Sequence, residues 1–244
     1  MILALRLQPR EELESSIEEP LKPYLQEVRF ATTRNLPGFV GPLIVSLACA
    51  LAFVTKLIAR SGLSQHELTS PSRFKLQIEW DVVLTLLVLA IVLLLERRAL
   101  ESIGIRRPSI GNIALALLFF LVGEALNRLI RPWVAGAGLG VISIRTWDAA
   151  PLLNWTSIIA ASVTEELVFR GYLINRVEAL TGSVASAAIF SCLLFAFWHY
   201  PLWGMQGVVL AGAWGIVIAV FYVWRRDLPA CIVTHFLTDT YRWK

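Results

Sequence analysis

The chain has 244 residues, 57% apolar and 16% charged, with 22 Lys and Arg against 18 Asp and Glu for a net charge of +4. Soluble globular domains run at about 45–50% apolar and about 25% charged, so this composition excludes an ordinary soluble domain and points to a polytopic membrane protein. The length leaves room for one integral domain. The basic residues flank apolar runs, which reads as loop charge and excludes nucleic acid as the partner.

Residues 1–38 form a charged leader carrying Pro20, Pro23 and Pro37. Ile2 to Leu7 is too short an apolar core for a secretory signal, and Glu11, Glu12 and Glu14 follow at once. Leu13, Ile17, Leu21, Leu25 and Val28 recur every three or four residues. That spacing allows a broken amphipathic helix on the membrane surface, with a plain solvated leader as the other reading. Residues 39–244 form the integral domain. A spanning helix needs about 20 mostly apolar residues. Apolar runs predict about seven spans, at 39–59, 80–95, 110–130, 153–177, 184–199, 203–224 and 228–243. The fold class is therefore all-α, a polytopic transmembrane helical bundle.

Lys56 sits at the end of the first run and is expected to snorkel to the interface. His66 falls in a polar loop. Glu124 and Arg128 on the third span are four apart and suit a structural pair. The sixth span carries Gly204, Gly207, Gly212 and Gly215, small residues that let it sit inside the bundle. With the N-terminus inside, the leader, Arg97, Arg98, Arg106, Arg107, Arg176, Arg225 and Arg226 fall on the cytoplasmic side. Arg60, Arg73, Lys75, Arg131 and Arg145 remain on the other. Cys49, Cys192 and Cys231 are odd in number and all in apolar runs, which gives no disulfide framework and no zinc spacing.

Charge inside an apolar span is expensive and marks a working cavity. Three such features fall in the later spans: Glu165, Glu166 and Arg170 in EELVFR; Phe195 and His199 in FAFWH; His235 and Asp239 in HFLTD. Glu166 and Arg170 are four apart in the order that favours an ion pair. Glu165 is turned about 100° away and is left for the cavity. Phe195 stands one turn before His199 and would wall the pocket, and His235 and Asp239 share a face. At about 1.5 Å per residue from the cytoplasmic helix ends, Glu165 lies roughly 18 Å deep, His199 roughly 24 Å and His235 roughly 11 Å. Each depth holds to about 5 Å, because helix ends shift by about 2–4 residues. The three can meet near the middle of the bilayer. Cys231, four residues before His235, offers a cysteine–histidine nucleophile as another reading, although an apolar setting disfavours the thiolate. Glu165 with the two histidines could also hold a metal.

EExxxR, FxxxH and HxxxD, in that order and each in its own apolar run, resemble the CAAX prenyl protease and bacteriocin-processing (CPBP, Abi) family of intramembrane glutamic endopeptidases. The resemblance covers roughly 153–239, the catalytic core in the last four spans. It implies that Glu165, helped by His199, activates a water, and that His235 and Asp239 donate hydrogen bonds to the oxyanion, with no metal and no cofactor. Asp239 stands where the family also uses Asn, and only its protonated form could donate. The implied substrate is a membrane-embedded or lipid-anchored peptide or protein: a prenylated tail, a bacteriocin or pheromone precursor, or a C-terminal sorting tail. The lean chain resembles a prokaryotic member, so a multi-pass protein of a prokaryotic plasma membrane is expected. The same pocket would also suit a non-catalytic, peptide-binding immunity or self-protection protein. A proton-coupled transporter is a third reading, which the lack of a repeated half disfavours.

Overall fold

The structure is a computed structural model that describes residues 39–58, 71–139 and 151–242. The leader 1–38, the His66 loop and the segment 140–150 lie outside the described residues, as do Arg60 and Arg145. Among the described residues there is no strand. The helices are α1 (Phe39–Ile58), α2 (Pro71–Ala90), α3 (Ile110–Gly136), α4, α5 (Val184–Trp198), α6 (Tyr200–Arg225) and α7 (Leu228–Arg242). α4 begins at Pro151–Glu165, widens into a π-helical stretch over Glu166–Ile174, and closes with Asn175–Thr181. The chain is a helical membrane bundle.

Among the described residues, four helices are long and apolar enough to cross a membrane: α1, Lys75–Leu95 within α2 and the π turn that extends it, α3 and α6. α5 is apolar but shorter. α7, with 15 residues, is too short for that set, and α4 carries the charges of EELVFR. Burial follows the same division. α3 points Leu117, Leu121, Leu129 and Trp133 outward, while Asn112, Ala116, Gly123 and Asn127 face in. Such an outward apolar surface is the lipid-facing side of a membrane helix. By contrast, all nine residues of the π-helical stretch of α4 are buried. π turns inside α-helices occur often at functional sites. The glycine-bearing α6 is the interior helix expected of it, with 56% of its apolar window buried against 17% for α1 and for α3.

One end of the bundle is tied by polar bonds. Arg176 of α4 pairs with Glu96 after α2 at 2.6 Å, and Tyr172 donates to the same carboxylate at 2.9 Å. Asn112 of α3 donates to Asp227 at 2.5 Å and accepts from Arg225 at 2.8 Å. The Leu228 amide donates to the Gly104 carbonyl at 2.9 Å. These contacts tie α4 to the end of α2, and tie α3 and the loop before it to the α6–α7 turn. On α3, Arg128 donates to the Tyr241 hydroxyl of α7.

The junction of α5 and α6 differs from the sequence reading, which opens the sixth span at 203. Only His199 separates the two helices, and Pro201 sits in the first turn of α6. Its missing N–H is harmless there, since the first helical amides have no partner in the helix. The bend comes instead at Gly204, with φ 62° and ψ −158°, a region essentially reserved for glycine. Gly204→Ala is expected to lower stability by about 1–3 kcal/mol, measured as thermal unfolding in micelles.

Candidate active site

α4 carries the two adjacent carboxylates, and its wide turn sends them to different partners. Glu166 and Arg170 are fully buried, with Nη1 of the guanidinium 3.0 Å from Oε1. Nη2 of Arg170 donates to the Gly215 carbonyl of α6 at 3.1 Å, and the guanidinium carbon lies 4.0 Å from the Phe195 ring centroid. Gly215 permits this approach, because a Cβ there would meet Phe195 Cδ1 at 2.9 Å. The Glu166–Arg170 pair therefore has partners on two further helices.

Glu165 faces the other way. Its Oε2 lies 3.8 Å from His199 Nε2 and 3.9 Å from His235 Nε2. The three side chains are 8–10% exposed. α4, α5 and α7 thus bring one carboxylate and two imidazoles around a common point.

Each imidazole is oriented by its other nitrogen. His199 Nδ1 lies 2.8 Å from the Phe195 carbonyl. A carbonyl only accepts, so Nδ1 carries the proton and Nε2 offers a lone pair toward Glu165. His235 Nδ1 lies 2.8 Å from Glu166 Oε1. The same oxygen accepts from Arg170 Nη1 at 3.0 Å, so it acts as an acceptor and Nδ1 is again the protonated nitrogen. His235 Nε2 faces Glu165 and also Asp239 Oδ2 at 3.5 Å. The Asp239 side chain is 30% exposed, the most open of the seven residues that the motifs single out. Phe195 packs edge-on against His199 at 4.7 Å and against His235 at 6.2 Å. Trp203 stacks on His199 at 5.1 Å.

Sequence reasoning missed several neighbours. Trp198 Nε1 donates to Glu165 Oε1 at 3.2 Å. Lys56 of α1, expected to reach the interface, instead holds its ammonium 3.8 Å from the Trp198 ring centroid. Asp81 of α2 is 2% exposed, and its main-chain carbonyl accepts from Thr164, the residue before Glu165. An acidic residue one position into an apolar run was the available signal for Asp81. Trp203 beside the Pro201 turn gave none. Among the described residues, no group of three His, Cys, Asp or Glu side chains is disposed to hold a metal ion.

A bundle that buries a carboxylate and two imidazoles among lipid-facing helices defines a membrane protein with a polar interior site. Residues 147–241 match the family model for type II CAAX prenyl endopeptidase Rce1-like proteins, which bears out the resemblance carried by the three motifs. The match supports an enzyme of the protease type in a membrane setting, and it covers the helices that supply Glu165, His199 and His235. No curated protein and no solved structure matches the chain.

Proposed function

We propose that the chain is a multi-pass intramembrane endopeptidase of the cell membrane, with Glu165 and His199 activating a water for attack on a peptide bond. The observation that carries this reading is the position of Glu165 Oε2, within 4 Å of two imidazole nitrogens. Both gaps exceed a direct hydrogen bond and suit one water shared between the groups. Glu165 and His199 Nε2 both accept. A water between them donates both of its protons and turns its lone pairs outward, toward a substrate carbonyl. Glu165 then takes the proton released on attack as general base. The oxyanion that forms needs donors. His235 supplies one from Nε2 only as the doubly protonated ring, since Nδ1–H is committed to Glu166. Three carboxylates, Glu166, Glu165 and Asp239, surround that ring and compensate its charge.

Asp239 supports two roles. Protonated, it donates to the oxyanion beside His235. Ionised, it repels that oxyanion, and the site then fits the second reading, a membrane protein that binds a peptide without cutting it. Asp239→Asn donates in every protonation state. It is expected to cleave at least as fast as wild type. A folded Asp239→Asn protein that no longer cleaves would remove Asp239 from the oxyanion role.

The substrate is a membrane-embedded or lipid-anchored peptide, whose scissile bond must reach a site among spanning helices. The test is to incubate purified protein in bilayers with candidate membrane peptides and to read new termini by mass spectrometry. Bound but intact peptide, the same for wild type and Glu165→Gln, would favour the binding protein. Activity that a chelator silences and zinc restores would move the mechanism to a metal.

A further inference from the structure

Trp198 immediately precedes His199 on α5, yet its indole serves Glu165. An indole nitrogen can only donate. Its bond to Oε1, at 3.2 Å, therefore pins one carboxylate oxygen and leaves Oε2 facing His199 and His235. The ring is 7% exposed and braced edge-on by Phe169 at 6.0 Å. Lys56 Nζ lies over the face of the same ring, 3.8 Å from its centroid. A cation on an indole face draws on the ring's electron density and makes its N–H a stronger donor. Asp81 of α2 is buried, and its main-chain carbonyl accepts from Thr164, the residue before Glu165. The first two helices, outside the matched segment 147–241, thus stand next to the carboxylate's own helix and its indole partner.

We propose that Trp198 is a positioning residue that orients the Glu165 carboxylate toward the two imidazoles, and that Lys56 strengthens this hold through the indole ring. The proposal rests on the protease reading of Glu165. Trp198→Phe keeps a ring for Lys56 and removes only the N–H.

Two readouts separate this proposal from the reading beneath it. The first is cleavage of a membrane peptide in proteoliposomes. Trp198→Phe is expected to lower kcat about tenfold to a hundredfold, the effect of one hydrogen bond to a charged group. KM should stay within about twofold, since the bond orients the base and touches no substrate. Lys56→Met should lower kcat about threefold to thirtyfold, and Lys56→Arg should restore it. In the Trp198→Phe background, Lys56→Met should add nothing, because its route is gone. The second readout needs no activity. In protein labelled with 15N at the indole nitrogens of its nine tryptophans, the Trp198 resonance is identified by its loss in Trp198→Phe. It should move in Glu165→Gln and again in Lys56→Met. A resonance unmoved by Glu165→Gln, or a Trp198→Phe kcat equal to wild type, overturns the proposal. So does a Lys56→Met loss of the same size in both backgrounds. A resonance that moves as expected in a wild-type protein that cuts no peptide removes the protease reading and supports the Glu165–Trp198–Lys56 contact.

Discussion

Glu165→Gln is expected to lower peptide cleavage by about a hundredfold to ten-thousandfold, the usual contribution of a general base. The folded state should be almost unchanged. Gln has the same shape, and its carbonyl oxygen can still accept from Trp198 Nε1 in place of Glu165 Oε1. Only the ability to take a proton is lost. The comparison is made with the two proteins in the same proteoliposomes, with thermal unfolding as the control for folding. Equal cleavage by both would sink the glutamate mechanism. Equal binding with no cleavage by either would leave the peptide-binding protein.

Arg170→Met is expected to have the largest effect on stability, a loss of about 3–5 kcal/mol, because it strands a buried carboxylate. Arg170 and Glu166 are both fully buried, and Glu166 would be left with His235 alone. Thermal unfolding in micelles measures it. A second variant separates structure from chemistry. Replacing both partners, as Glu166→Leu with Arg170→Met, removes both charges and should recover much of the lost stability. It should not recover cleavage, because His235 Nδ1 then has no carboxylate to fix its tautomer. Full activity in the double variant would mean that the ion pair braces helices and nothing more.

Spacing carried part of this site in the sequence, and only part. Glu166 and Arg170 are four apart on one helix, and that pair is local enough to read from periodicity. His235 and Asp239 are local in the same way. The approach of His199 and His235 to Glu165 is not local. Depth counting put the two imidazoles roughly 13 Å apart along the bilayer normal, whereas both stand within 4 Å of one oxygen. Depth counting assumes straight helices along the normal and does not see the π-helical stretch of α4, which has no reliable sequence signal. Lys56 fails for another reason. A lysine near the end of an apolar run can turn to the interface or to an aromatic face on a neighbouring helix. The choice depends on what that neighbour brings, here Trp198. The family match covers only 147–241, so it says nothing of α1 and α2, where Asp81 alone carried a signal in the sequence.

His199 caps both the end of α5 and the start of α6, and its ring packs against Phe195 and Trp203. A junction one residue long has no slack. Prying those two helices apart would drag the imidazole with them and spoil its aim at Glu165. The α5–α6 seam must therefore behave as a weld, and under the proposed endopeptidase reading a peptide arriving from the lipid would part some other pair of helices.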